Sequence, residues 1–240
     1  MKVASVLVMA AATLAVACGG GNSAAGPAPP APGVSDAGGG ADPRTGEVRY
    51  LSLGDSITQG IGTDSFETAA FPARLTERWR ARGCTVELKN VGVSGYTAGQ
   101  ILADEVPEIA PFKPTFITLQ VGANDIANNV SIETYRANVK TILDAAKKSG
   151  ARVVVLPQNE WWRSPEGPNY GGTMEKRDAY DAVLIEETKA KDAELVDLRA
   201  LYRSHADKKL WAADGIHPTD ACYDEMAGEL ARVIPSPCGK

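Results

Sequence analysis

Five residues of this chain are of the types that can attack and stabilise a carbonyl group: Ser56, Gly95, Asn124, Asp214 and His217. They lie in four short segments, Gly54-Asp55-Ser56, Asn90-Val91-Gly92-Val93-Ser94-Gly95, Gly122-Ala123-Asn124-Asp125 and Asp214-Gly215-Ile216-His217. A serine hydroxyl is a weak nucleophile at neutral pH and needs a base within hydrogen-bond reach. The chain has two histidines. His217 follows an aspartate by three positions, so Asp214 can accept from its second ring nitrogen, fixing the tautomer and stabilising the imidazolium. The oxyanion formed on attack needs donors held in advance. The backbone N–H of Ser56, the backbone N–H of Gly95 and the side-chain amide of Asn124 can supply them, and the missing Cβ of Gly95 lets its N–H come close.

Each segment also has a plainer reading. Asp-Gly-Ile-His-Pro is a turn by composition, Gly92 and Gly95 suit a tight strand-to-helix turn, and Asn124 suits a local cap. Four such segments in order describe an acyl-transfer centre better than four unrelated turns do. Asp55, Asn90 and Asp125 read as loop organisers. The other histidine, His205, sits in the polar stretch Arg203-Ser204-His205-Ala206-Asp207 and reads as a surface residue.

Apolar runs alternating with helical stretches predict an α/β fold with a parallel sheet. Strands are expected at Val48–Leu53, Thr85–Val91, Thr115–Val121, Arg152–Leu156 and Leu195–Leu198. Helices are expected at Ala69–Arg82, Ala98–Ile109, around Val139, Ile142, Leu143 and Ala146, at Glu175–Ala190 and at Asp220–Val233. In an open sheet of this kind the site forms beyond the carboxyl ends of the strands. Ser56, Gly95 and Asn124 follow the first three strands and His217 lies after the fifth, so all four gather on one rim.

The segments resemble, in order, the blocks of the SGNH branch of the GDSL esterases and lipases: Gly54-Asp55-Ser56-Ile57-Thr58, Asn90 to Gly95, Gly122-Ala123-Asn124-Asp125 and Asp214-Gly215-Ile216-His217-Pro218. The resemblance covers Val48 to Val233. It implies a three-layer α/β/α, flavodoxin-like fold with a five-stranded parallel sheet. It also implies a serine ester hydrolase working through an acyl-enzyme, without a cofactor. Ser56, Asp214 and His217 would be its catalytic residues, with Ser56, Gly95 and Asn124 forming its oxyanion hole. An acyltransferase on the same site and a catalytically silent surface-binding module are the alternatives. The substrate class implied is a carbohydrate acetyl ester or a lipid or lysophospholipid ester. The long segment Gln158 to Gly172 follows the fourth strand; its Trp161 and Trp162 are candidate substrate contacts or core anchors, and its length and Gly/Pro content suit a mobile lid.

Met1-Lys2 followed by an uncharged apolar run from Val3 to Ala17 predicts an export signal over residues 1–17. Ala15-Val16-Ala17 fits ordinary signal peptidase. Leu14-Ala15-Val16-Ala17-Cys18 resembles a lipobox, its leucine one position further out than usual, and the tether through Cys18 is favoured. The expected location is therefore the cell envelope, as a lipoprotein, or the periplasm or exterior. Residues 18–46 are dominated by Gly, Ala and Pro and read as a disordered linker, and residues 47–240 as one catalytic domain. A formal net charge of −5 gives no basic face for nucleic acid. Scarce histidine and dispersed cysteine leave no set with metal-ligand spacing. Of four cysteines, Cys84 at the start of the second strand and Cys238 after the last helix should lie at the end of the sheet opposite the rim. That makes Cys84–Cys238 the preferred disulfide in an exported chain.

Overall fold

The computed structural model describes residues 47–234 and 236–238; the leader, linker and Cys18 tether expected from the sequence lie outside the described residues. Five strands form one sheet: β1 (Glu47–Gly54), β2 (Thr85–Asn90), β3 (Phe116–Gln120), β4 (Arg152–Leu156) and β5 (Glu194–Leu195). Their order is β2-β1-β3-β4-β5, and every neighbouring pair is parallel. The helices are α1 (Ser56–Gln59), α2 (Phe66–Ala69), α3 (Phe71–Ala81), α4 (Ala98–Gln100), α5 (Ile109–Phe112), α6 (Ala123–Ala127), α7 (Ile132–Lys148), α8 (Met174–Ala190), α9 (Arg199–Asp207) and α10 (Asp220–Val233). Among the described residues no helix is long and apolar enough to cross a membrane.

Side chains alternate across a strand, so each central strand feeds two cores. Val48 and Tyr50 of β1, Phe116 of β3 and Val154 and Leu156 of β4 face α3, α9 and α10, where Trp79, Tyr202, Tyr223 and Leu230 are buried. Leu51, Leu53, Ile117, Leu119, Val153 and Val155 face α7 and α8. The sheet is thus the middle of three layers. Tyr50, Trp79 and Phe116 meet at centroid distances of 4.9 to 5.6 Å in tilted and edge-on pairs, geometries that suit the ring quadrupoles.

Three expectations need correction. The stretch from Ala98 to Ile109 is not one α-helix: α4 passes into a π-helical segment at Ile101–Glu105 and a 3₁₀ turn at Val106–Glu108 before α5. Pro107 has no N–H and clashes with the carbonyl four residues back, which breaks a regular helix there. The last strand is Glu194–Leu195 rather than Leu195–Leu198. The Asp197 carboxyl accepts the Arg199 N–H at 3.0 Å and turns the chain into α9. That helix buries Tyr202, His205 and Ala206 at helical spacing. His205 is therefore not a surface residue: it is 4% exposed and its Nε2 lies 2.8 Å from Glu225 Oε2 on α10.

Cys84 and Cys238 form a disulfide that closes a segment 154 positions long. Among the described residues Cys222 is free, and it is buried. Cross-linking so long a loop removes many conformations from the unfolded chain and typically stabilises by about 2–4 kcal/mol. Reduction, or Cys84→Ser, is expected to lower the midpoint of thermal unfolding by at least several degrees. A midpoint unchanged by reductant would show the bond is not formed in the protein.

Candidate active site

β1 ends at Gly54, and Asp55 adopts an extended conformation in which its Oδ1 accepts the Ile57 N–H at 3.0 Å. This cap starts α1 one residue after the strand and makes Ser56 its first residue. Ser56 is 8% exposed. The Asn90 side chain ties the second segment to α1, donating to Thr58 O at 2.7 Å and accepting from Gly92 N at 3.1 Å. Gln59 Oε1 adds a bond from Ser94 N at 2.7 Å.

Gly95 then takes φ +86°. A Cβ there would meet nothing within 4 Å, so glycine is required by the backbone conformation rather than by crowding. Among the described residues no acceptor takes the backbone N–H of Ser56 or of Gly95.

After β3, Asn124 and Asp125 divide two tasks. Asp125 is fully buried, and both of its oxygens accept the Ala98 N–H at 3.0 and 3.2 Å, holding the helical segment that follows Gly95. The role is structural, as the sequence suggests, yet the N–H it binds is 27 residues away rather than local. The Asn124 amide donates to Tyr96 O at 3.1 Å and lies 3.4 Å from Asp55 Oδ2. It therefore stands between the turns carrying Ser56 and Gly95.

The fourth segment is a pinned turn. Trp211 and Pro218 form an antiparallel bridge, and Ala212 N donates to His217 O at 2.8 Å. Asp214 Oδ1 accepts from Ile216 N and His217 N, both at 3.0 Å, and its Oδ2 lies 2.6 Å from His217 Nδ1. Burial raises the Asp214 carboxyl, but the two N–H groups and the imidazole outweigh it and hold the carboxyl below the ordinary carboxylate range.

Gly62, at φ +96°, packs so closely against this turn that a Cβ would lie 2.5 Å from Pro218 O. α10, which follows directly, is fastened to α3 by Arg74 with Asp220 and Asp224 at 2.6 and 3.0 Å. The first contact sets the histidine turn against the segment that follows α1, and the second holds α10 against α3.

Ser56, Gly95, Asn124 and His217 line one cavity of about 220 Å³, and Asp55, Ser94, Trp161 and Tyr170 are also in its wall. No hydrogen bond joins the Ser56 hydroxyl to the imidazole in this arrangement; such bonds commonly tighten only when substrate is in place. The segment after β4 is folded into two 3₁₀ turns, Trp161–Arg163 and Gly167–Tyr170. It is joined to the histidine turn by Glu166 N to Gly215 O at 3.0 Å. Trp161 both walls the cavity and anchors the segment, being 4% exposed with its Nε1 donating to Gln158 Oε1 at 3.0 Å. Trp162 lines a different cavity with Arg163, Arg177, Arg199 and Arg203. Successive residues of a 3₁₀ turn point about 120° apart, so the two rings cannot share one wall, and Trp162 is removed from the set of candidate substrate contacts.

Three carboxyls in or beside the cavity wall are pushed upward, in each case chiefly by burial: Asp125 to about 6, Asp55 to about 7 and Glu105 to about 9. A carboxyl raised in the folded chain binds more protons there than in the unfolded chain, so folding stability declines as pH climbs from the unfolded to the folded value. Their contribution is complete below about pH 4 and is lost as the pH passes about 6, 7 and 9 in turn. Asp214 acts in the opposite sense, but only at acidic pH. The midpoint of thermal unfolding is expected to fall between about pH 5 and pH 9. Calorimetry over that interval checks it, and a rising midpoint contradicts it.

Gln59, Tyr170 and Glu105 belong to this arrangement without any motif to announce them. Gln59 had one weak signal, its place on the outer turn of the helix that carries Ser56. The other two depend on loop and helix geometry that periodicity does not encode.

A family model for the GDSL-like lipase/acylhydrolase family matches residues 52–225. The chain is 28% identical over 180 residues to the esterase TesA of Pseudomonas aeruginosa, covering 73% of this chain and 82% of that protein. It is 26% identical over 187 residues to the thioesterase 1/protease 1/lysophospholipase L1 of Escherichia coli K12, covering 77% and 82%. A crystal structure of TesA superposes with a TM-score of 0.64 at 26% identity, covering 76% of this chain and 95% of that one. With the fold, the ordered segments and these relatives in agreement, the chain belongs to the GDSL-like lipase/acylhydrolase family and is a serine carboxylic-ester hydrolase of that type.

Proposed function

We propose that this chain is an exported esterase that removes short acyl groups, carbohydrate acetyl esters being the class it suits best, through an acyl-enzyme on Ser56. In this reading the Ser56 hydroxyl adds to the ester carbonyl as His217 Nε2 takes its proton. The resulting oxyanion is met by the N–H groups of Ser56 and Gly95 and by the Asn124 amide. Collapse expels the alcohol, which leaves with the proton from His217. Water then adds to the acyl group with His217 again as base, and the acid departs as the proton returns to Ser56. Asp214 holds the imidazole in the tautomer that keeps Nε2 free to accept.

The observation that carries the reading is a pair of backbone donors, at Ser56 and Gly95, that no acceptor among the described residues takes, in the wall of the cavity that holds Ser56 and His217. Its volume of about 220 Å³ lies below the ~300–1,000 Å³ of drug-sized pockets, which favours a short acyl group. Tyr170, 51% exposed at its edge, offers an aromatic face to a sugar. The name of the E. coli relative favours a second reading, a lysophospholipid or thioester with a longer acyl chain. The Cys84–Cys238 disulfide supports export, because such bonds persist in oxidising compartments.

Rates on p-nitrophenyl esters of increasing chain length, beside acetylated xylan and a lysophospholipid, test the substrate. A maximum at acetyl or propionyl with deacetylation of xylan supports the proposal; a maximum at long chains with lysophospholipid turnover replaces it with the second reading. Labelled water or an added alcohol as acceptor separates hydrolysis from transfer.

A further inference from the structure

Of the three buried carboxyls Asp55, Asp125 and Glu105, two have evident local duties: Asp55 caps α1 and Asp125 holds Ala98 N. Glu105 has no such duty. It ends the π-helical segment, is 2% exposed, and has one oxygen, Oε1, with no hydrogen-bond partner among the described residues. An apolar side chain would fill that position without the cost of burying a carboxyl. Its other oxygen explains its presence: Oε2 accepts the Gly54 N–H at 2.8 Å. Val93 N in turn donates to Gly54 O at 3.1 Å. Gly54 lies two residues before Ser56, and Val93 two residues before Gly95.

We propose that Glu105 is a positioning residue for the ester hydrolysis: by accepting the N–H of Gly54, whose own carbonyl accepts the Val93 N–H, it fixes the residue that links the turn that carries Ser56 to the turn that carries Gly95. Two of the three donors for the oxyanion are backbone N–H groups on those turns, so no side chain can readjust to restore their separation if it drifts. Ester catalysis is sensitive to such drift, because misplacement by about 1 Å can lower a rate by as much as 100-fold. Burial, raising the Glu105 carboxyl to about 9, keeps it uncharged at neutral pH and spares the forming oxyanion a further negative neighbour beside Asp55. Glutamine is then a close mimic: its carbonyl can occupy the Oε2 position and accept the same Gly54 N–H.

The test compares Glu105→Gln with Glu105→Leu, which keeps much of the shape and removes the acceptor. Kinetics on p-nitrophenyl acetate, thermal unfolding, and amide hydrogen exchange at Gly54 and Val93 are measured on the full chain. The glutamine variant should keep kcat within about threefold and protect both amides, while the leucine variant should lose about 10- to 100-fold in kcat with KM changed less than about threefold and both amides exposed to exchange. A folded leucine variant with wild-type kcat overturns the proposal. So does a loss carried by KM, or a glutamine variant as impaired as the leucine one. Should the leucine variant fail to fold, Glu105→Asp serves, its carboxyl one methylene short; wild-type kcat with protected amides in that variant overturns the proposal equally. The inference rests on the proposed role of the cavity, and the two fail separately. A wild-type protein that neither hydrolyses the ester nor takes a fluorophosphonate at Ser56 defeats the esterase mechanism, whereas the exchange measurement judges the Glu105 tie without any substrate.

Discussion

Replacing Ser56 by alanine is expected to abolish ester hydrolysis, lowering kcat by about four orders of magnitude or more, while the fold survives. The fold should survive because the Ser56 side chain makes no hydrogen bond among the described residues, and α1 is held instead by the Asp55 cap, Asn90 and Gln59. His217→Ala should fall to a similar level, and the double variant should be little worse than either, because a nucleophile and its base act as one unit. The His217 loss should not spread into the fold either: the turn is pinned by its own backbone, through the Trp211–Pro218 bridge and the Asp214 bonds to Ile216 N and His217 N. Circular dichroism with p-nitrophenyl acetate kinetics decides the matter. A folded Ser56→Ala protein turning over near the wild-type rate would remove Ser56 from the mechanism, and additive losses in the double variant would separate it from His217.

The rim of the sheet was legible in the sequence because chemistry and fold make the same demand there. A parallel strand must end in a turn, and glycine, aspartate and asparagine in those turns are also the residues that expose N–H groups and amides. Ser56, Gly95 and Asn124 could therefore be placed by counting strands, and the buried apolar runs of β1, β3 and β4 made the strands easy to count. What stayed hidden was decided by packing. His205 sits in a polar stretch, yet α9 turns it inward onto Glu225, because Tyr202 and Ala206 beside it bury the same face. Trp161 and Trp162 are indistinguishable as letters, and only the 3₁₀ turn assigns one to the cavity and the other to an arginine-lined neighbour. Glu105 lies in a run, Ile101 to Glu108, whose helical pattern is interrupted by Pro107, so its inward orientation follows from the π segment rather than from a period of 3.6. The Cys84–Cys238 pairing was readable from topology alone, since both cysteines fall at the end of the sheet away from the rim.

Asn124→Ala is expected to lower kcat by about two to three orders of magnitude with little change in KM, a loss of about 2.7–4 kcal/mol of transition-state stabilisation. The direction follows from how the amide nitrogen is held. Its two hydrogens face unequal acceptors: Tyr96 O at 3.1 Å, which orients the group, and Asp55 Oδ2 at 3.4 Å, too long for a strong bond. The weaker of the two is the one an oxyanion can draw away, and it does so only once charge has formed on the substrate oxygen. A neutral ester carbonyl competes poorly with the buried Asp55 carboxyl, so the ground state gains little from Asn124 and KM should hardly move. The oxyanion competes well, and the whole benefit falls on kcat. Asn124→Asp should be more damaging still, because it sets a second carboxyl against Asp55, whose own value burial already raises to about 7. Steady-state kinetics on the two variants, with unfolding curves as a control, separate the possibilities: a loss confined to KM would make Asn124 a substrate-binding group, and unchanged turnover would leave the oxyanion to the two backbone donors alone.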